Sequence, residues 1–187
     1  MSLPVKNSPK SLLRNKLKKK ILSLSPAQRR TKSLQVCQGL WRSDFVQESK
    51  RILIYLAHFS ELDTRSLIRQ LLRSKKEVYL PRVDGDSIFL YRVKNLQKDM
   101  EQGVYGMREP KKIKTRQARI GEMDLAVIPG LGFTREGARL GRGGGHFDRL
   151  LEKAGRVVKI GVGYREQIVK KIPLMRHDVR MNFVVTD

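Results

Sequence analysis

Apolar positions along the chain fall into two rhythms. Short runs such as "R-I-L-I-Y-L-A" (51–57) and "D-L-A-V-I-P" (124–129) lack polar alternation. Runs of that kind predict strands buried on both faces. "E-V-Y-L-P" (77–81), "S-I-F-L-Y-R-V" (87–93), "V-V-K-I-G-V-G-Y" (157–164) and "N-F-V-V-T" (182–186) read as further strands. Between them the spacing turns helical. Leu12, Leu13, Leu17 and Ile21 mark a basic helix over 10–22, and "T-R-S-L-I-R-Q-L-L-R" predicts one over 64–73. "S-P-A-Q" (25–28) opens another that runs to about Trp41, with Ser25 as N-cap, Pro26 at N1 and Gln28 at N3. Residues 147–154 and 165–172 read as short helices, and 94–122 as a loop-rich excursion.

Strands alternating with helices predict an α/β fold, a mostly parallel sheet in a three-layer arrangement with helices on both faces. At 187 residues the chain reads as a single domain over 1–187. In such sheets ligands bind beyond the carboxyl ends of the strands. The strand at 124–129 runs directly into "P-G-L-G-F-T-R-E-G-A-R-L-G-R-G-G-G-H-F-D", which holds seven of the fifteen glycines.

Glycine lets backbone N–H groups approach a ligand and form a concave anion nest. Arg139 and Arg142 add guanidiniums suited to phosphate oxygens. A helix starting near His146 or Phe147 would turn its positive end the same way. The layout suits a polyphosphate. It is neither a Walker A loop nor a G-x-G-x-x-G turn. A plain glycine connector and an Arg-Gly RNA-binding loop are the other readings of the segment. Asp148 follows the nest, where a carboxylate can share Mg²⁺ with phosphate or simply offset the helix dipole.

The charge narrows the partners. The chain carries 40 Lys and Arg against 18 Asp and Glu, a net +22. That implies anionic company: nucleic acid, anionic membrane, or phosphorylated and carboxylated small molecules. Aromatics make up 6%, which argues against a single-strand binder built on stacking. Cys37 is the single cysteine and reads as a packing residue rather than a nucleophile. No run of about 18 apolar residues occurs, so a soluble cytoplasmic protein without a membrane partner is expected. The alternative function is a basic nucleic-acid-binding protein using the N-terminal helix, where eleven Lys and Arg precede Asp44, the first acidic residue.

The segment "P-G-L-G-F-…-G-A-R-L-G-R-G-G-G-H-F-D-R" resembles the signature of the 5-formyltetrahydrofolate cyclo-ligase (5,10-methenyltetrahydrofolate synthetase) family. "K-S-L-L-R" (10–14), "E-L-D-T" (61–64), "Y-L-P-R-V" (79–83), "R-E-Q" (165–167) and "H-D" (177–178) fall in order around it, so the resemblance spans nearly the whole chain. It implies an ATP- and Mg²⁺-dependent ligase that closes 5-formyltetrahydrofolate to 5,10-methenyltetrahydrofolate and releases ADP and phosphate. It implies that Lys10 and Arg14 meet the ATP phosphates together with Arg139, Leu140, Gly141, Arg142, Gly143, Gly144, Gly145, His146 and Phe147. It places Asp148 and Asp178 on the metal. Glu61 would bond the pterin, with Leu56 and residues 142–146 lining the folate, and Arg142 and His146 would act in catalysis. The expected partners are ATP and the formylated folate, its polyglutamylated forms included, on a monomer with no obligate nucleic acid. The chain departs from the family pattern at His146 and Phe147, where two tyrosines are usual, at Thr134 and at Asn182.

Overall fold

The computed structural model describes residues 8–103, 106 and 108–187. The first helix, α1 (Pro9–Leu22), starts where Ser8 accepts a hydrogen bond from the Ser11 N–H at 3.2 Å. The second, α2 (Pro26–Arg42), has the capping box the sequence predicts: Ser25 Oγ accepts from Gln28 N–H, and Gln28 Oε1 accepts from Ser25 N–H. Then follow α3 (Asp44–Glu48), β1 (Arg51–Ile54), α4 (Arg65–Arg73), β2 (Glu77–Asp84) and β3 (Ser87–Val93). The excursion holds β4 (Met100–Gln102), β5 (Arg108–Pro110) and β6 (Gln117–Ala118). The rest is β7 (Leu125–Pro129), β8 (Gly132–Phe133), β9 (Arg139–Leu140), α5 (His146–Leu151), β10 (Val158–Val162) and β11 (Phe183–Val185).

Seven strands form one sheet in the order β11-β10-β7-β1-β2-β3-β6. The run from β11 to β2 is parallel throughout, and β3 and β6 add an antiparallel edge. Side chains alternate across this sheet as the pleat requires. Ile52, Ile54, Leu125 and Val127 pack with α2 and α4 residues such as Val36, Leu40, Leu67 and Leu71. Leu53, Ala126 and Ile128 face the other way, onto Leu150, Leu151 and Ala154 at α5. The layers are therefore helix, sheet, helix, and the polar-free runs are strands buried on both faces.

Three elements differ from the sequence reading, each for a local reason. The first strand ends at Ile54, and the chain then leaves the sheet in a loop closed by Tyr55 Oη donating to the Leu62 carbonyl at 2.8 Å. Residues 165–172 make only a 3-10 turn at Arg165–Gln167. Phe133 competes for the backbone beyond it: Val169 N–H donates to the Phe133 carbonyl at 2.9 Å, and Ile168 bridges the same residue. The glycine segment is no open loop, because β8 and β9 pair as a hairpin at the carboxyl end of β7. Gly137 makes its turn at φ +85°, where a Cβ would overlap the Met181 carbonyl oxygen.

Candidate active site

The carboxyl ends of β1, β2 and β7 open onto a cavity of about 170 Å³ lined by Glu61, Pro129, Arg142, Gly144, His146 and Asp148, among others. Pro129 ends β7, and the others come from the loop or helix start that follows a strand. Val83 and Ile88, from the hairpin joining β2 to β3, form its apolar side. These two were missed in the sequence because apolar strand residues carry no chemical mark.

The loop from β1 to α4 is pinned at several points. Thr64 Oγ1 donates to the Tyr55 carbonyl at 2.6 Å. Asp63 N–H donates to Ser33 Oγ at 3.0 Å, and Cys37 Sγ donates to the Asp63 carbonyl. Burial pushes the Cys37 thiol up from its ordinary value, which suits the packing role read from sequence. The loop thus presents Glu61 in one pose. Its Oε2 accepts from the His58 N–H at 3.0 Å, and its Oε1 accepts from Arg142 Nε at 2.9 Å.

Arg142 and Arg139, three residues apart, have different fates. The Arg142 side chain is 45% exposed and reaches across the cavity mouth to Glu61. Arg139, expected from sequence to meet phosphate, has a side chain 3% exposed. Its guanidinium donates to Asp148 Oδ1 at 2.7 Å and to the Pro129 carbonyl at 3.1 Å. It also lies 5.8 Å from the centre of the Phe147 ring. Its place on β9, with Leu140 packed on Leu17, turns it inward. Arg139 is built into the wall of the site and holds the start of α5.

The glycines also divide. A Cβ at Gly130 would lie 2.6 Å from the Phe133 ring, and one at Gly132 would lie 2.5 Å from Leu17. One at Gly141 would crowd the Arg139 guanidinium, and one at Gly144 the His146 ring. Much of the room left by glycine is therefore filled by the protein itself. Gly145 is the N-cap of α5 at φ +66°, a left-handed turn that delivers His146 to the cavity. Gly143 meets only Arg14, at 3.8 Å.

Helix α1 closes the site from the other side. Arg14 Nε donates to the Gly141 carbonyl at 2.9 Å, which seats the helix on the glycine loop. One turn earlier, Lys10 pairs with Asp178, which also accepts from the Met175 N–H at 2.6 Å. Burial alone would raise the Asp178 carboxyl; the Lys10 ammonium and the Met175 N–H outweigh it and hold it below its ordinary value. The structure thus brings Arg14 to the glycine loop, and Lys10 to Asp178. Leu56 packs against the main core rather than lining the cavity. The departures Thr134 and Asn182 have local work. Thr134 Oγ1 accepts from Ala138 N–H inside the hairpin, and Asn182 Oδ1 accepts from Lys159 N–H.

Among the described residues no group of three or more His, Cys, Asp and Glu converges to hold a metal. Asp148 and Asp178 each have one oxygen engaged by a cation, leaving the other without a protein hydrogen bond among the described residues. Asp148 lines the cavity and Asp178 does not, so the metal role that the resemblance implies for the pair is not assembled by the geometry. No described helix is long and apolar enough to cross a membrane.

Comparison with known proteins agrees with this geometry. The model of the 5-formyltetrahydrofolate cyclo-ligase family matches residues 6–187. The mouse 5-formyltetrahydrofolate cyclo-ligase is 29% identical over 96% of this chain and 94% of its own. The Escherichia coli K12 protein of the same name is 30% identical over 88% of this chain and 92% of its own. The NMR structure of Aquifex aeolicus 5,10-methenyltetrahydrofolate synthetase superposes with a TM-score of 0.84 at 32% identity, covering 95% of this chain and 89% of that one. With its parallel sheet, its glycine hairpin and matches of this length, the chain belongs to the 5-formyltetrahydrofolate cyclo-ligase family of enzymes.

Proposed function

We propose that this chain uses ATP to convert 5-formyltetrahydrofolate into 5,10-methenyltetrahydrofolate, acting as a monomer on small molecules. The observation that carries the reading is the convergence of α1 on the glycine loop, through Arg14 and the Gly141 carbonyl, at the carboxyl ends of the parallel strands. A cation on α1 meets the glycine loop there across more than a hundred residues of chain, and Arg142 stands on the same loop, which supports a polyphosphate site.

The chemistry accounts for these parts. An amide oxygen is a poor leaving group. In the first step the formyl oxygen attacks the γ-phosphorus of ATP, the P–O bond to the β-phosphate breaks, and ADP departs. In the second, N10 attacks the formyl carbon and loses its proton. The C–O bond breaks and phosphate leaves, which gives the methenyl bridge. Neither step needs a covalent enzyme intermediate, so the protein's task is to position groups and stabilise charge. Lys10, Arg14 and Arg142 would bind phosphate oxygens, with Gly143, Gly144 and Gly145 giving backbone access. Glu61, freed from Arg142 as phosphate draws that side chain away, would accept from pterin N–H groups. His146, which lines the cavity, would turn its ring and polar tip to the formyl group. Asp148 and Asp178 would hold Mg²⁺, which supplies neutralisation of phosphate charge when bound.

The test is the appearance of the methenyl chromophore from 5-formyltetrahydrofolate. It should form with ATP and Mg²⁺ and fail without ATP. No chromophore under the full conditions, or equal rates with and without ATP, would refute the reading.

A further inference from the structure

The proposed reaction employs a handful of cations, and most of the net +22 charge lies elsewhere. Over much of the surface that charge is mixed with acid. Along 111–116, Lys112 pairs with Asp84 at 2.7 Å and Arg116 with Asp99 at 2.8 Å. In the cavity of about 680 Å³ past His146, Asp86 and Glu152 stand among Arg119, Arg149 and Lys153. The cleft that holds Arg29 and Arg30 holds Glu61 and Asp63 as well. On α4, Arg65 pairs with Asp63, and Arg69 shares the field of that carboxylate, which leaves Arg73 and Lys75.

Helix α1 is different. No acidic residue occurs before Asp44, and the helix carries six cations that face two ways. Lys10 and Arg14 turn inward, to Asp178 and to the Gly141 carbonyl. Lys16, Lys18, Lys19 and Lys20 are exposed, and among the described residues no protein acceptor engages their side chains. Val169 and Ile172 pack in one cluster with Leu13 and Leu17. Lys170 and Lys171, exposed and equally unengaged, therefore lie alongside α1. The carboxylates that flank this strip in the chain are already matched, Asp178 by Lys10 and Glu166 by Lys32 at 2.9 Å. Six lysines stand on and beside the outer side of α1 with no unmatched acid in either segment.

Shape and residue type narrow the ligand. The lysines of α1 lie on the convex flank of a helix, outside the cavities beside the active site, so they suit an extended anion rather than an enclosed one. A bilayer is a poor match. The apolar residues that would enter it, Leu13, Leu17 and Ile21, are packed on the protein. The exposed Leu12 and Leu22 are too far apart to form a stripe, about 15 Å along the helix. Lysine is a point charge without a planar fork, and neither α1 nor 168–177 has a Phe, Tyr or Trp on which a base could stack. A row of phosphates fits. Lys16 and Lys20 are one turn apart, about 6 Å, and a duplex offers a charge every ~1.7 Å of its length, so several lysines meet phosphates at once.

We propose that the outer side of α1, with Lys170 and Lys171 beside it, binds the phosphate backbone of a nucleic-acid duplex, DNA or RNA, without reading its sequence. This is a second activity, and it does not depend on the ligase reaction. Arg14 is turned to the glycine loop, whereas the six lysines are turned to solvent. A duplex should therefore bind whether or not a nucleotide is present.

The experiment follows the anisotropy of labelled DNA and RNA duplexes of about 20 base pairs and arbitrary sequence, between about 50 and 200 mM salt. The chain should bind, and the duplex held more tightly names the source. The slope of log affinity on log salt should be about −5, from about −0.9 for each of six phosphates neutralised. Lys16→Gln/Lys18→Gln/Lys19→Gln/Lys20→Gln should make that slope shallower by about 4 and weaken binding by about tenfold or more at about 100 mM salt. Glutamine is a good helix former, so the midpoint of urea unfolding should not move. The same four positions changed to arginine keep the charge and should keep the binding; loss there overturns the proposal. Arg69→Gln/Arg73→Gln/Lys75→Gln at α4 is the comparison and should retain most of the affinity. An equal loss in that variant means that the charge acts diffusely, and the site falls. Displacement of the duplex by saturating ATP at matched ionic strength would place it on the nucleotide site and refute the proposal, as would no binding at about 100 mM salt. Vesicles of phosphatidylserine and phosphatidylcholine test the bilayer. Capture by them that is tighter than by either duplex, and lost with the same four lysines, would replace nucleic acid by a membrane.

Discussion

Strands β1 and β7 are held by what their side chains fill: Ile52, Leu53, Ile54 and Leu125 through Ile128 are buried on both faces of the sheet. The segment that follows β7 is held by what its missing side chains leave open. Phe133, fully buried, lies in a slot where a Cβ at Gly130, Gly161 or Gly163 would come within 2.6, 2.5 or 3.3 Å of its ring. The glycine-rich edge is thus half core and half site. Apart from Arg135 and Glu136 at the exposed turn, residues from Leu131 to Leu140 pack inward, and those from Gly141 to His146 stand partly or fully open. A glycine count does not distinguish the two halves, whereas a list of neighbours does.

The sharpest way to break that division is to empty the slot. Phe133→Ala should cost about 3–5 kcal/mol in urea unfolding, like any large core truncation. A loss below about 1 kcal/mol would return the hairpin to the class of loops. Arg139→Ala comes next. It strands the Asp148 carboxylate in a buried setting, and removing one member of such a pair costs about 3 kcal/mol. Equal stability in that variant would mean that Arg139 is not structural.

Arg142→Ala is the counterpart on the open side. Its stability should stay within about 0.5 kcal/mol, since the side chain is 45% exposed. Its loss should appear in ATP binding, at about 2 kcal/mol or roughly thirtyfold. An unchanged ATP dissociation constant would remove Arg142 from the phosphate site. The smallest effect is in acid. The Asp178 carboxyl is held below its ordinary value of 3.8, so its pairing stabilises the fold above that pH and is lost as pH falls through the depressed value. The chain should therefore be more stable than Lys10→Met at about pH 6 and lose that margin as pH falls below the ordinary value. A margin that widens in acid would have the wrong sign for this pair.

Much of the fold can be read in the sequence because it is written in side chains. The runs at 51–57 and 124–129 mark β1 and β7, and "S-P-A-Q" marks the start of α2 to the residue. The excursion is opaque because β4 and β5 are "M-E-Q" and "R-E-P", three residues each with no apolar alternation. Ile168 and Ile172 suggest a helix, yet the Phe133 backbone captures the segment, a contact across more than thirty residues that periodicity does not carry. Of the site, the glycine loop announces itself. Lys10 and Asp178 do not: they stand 168 residues apart, and only family resemblance joins them before the fold does. Arg139 and Arg142 look alike in sequence. Their separation depends on a two-residue strand that turns one of them inward.

Helix α1 carries Lys10 and Arg14 on the same rigid rod as Leu17, whose tip fills the notch left by Gly132. Seating of the helix and charging of the site are therefore one equilibrium. If Lys10 and Arg14 hold the phosphates as proposed, the anion would draw α1 onto the hairpin, and a well-seated α1 would raise the affinity for that anion by the same factor, as reciprocity between coupled events demands. A methyl group added at Gly132, remote from any phosphate, would press on Leu17 and lift both cations together. It would weaken nucleotide binding without touching a nucleotide.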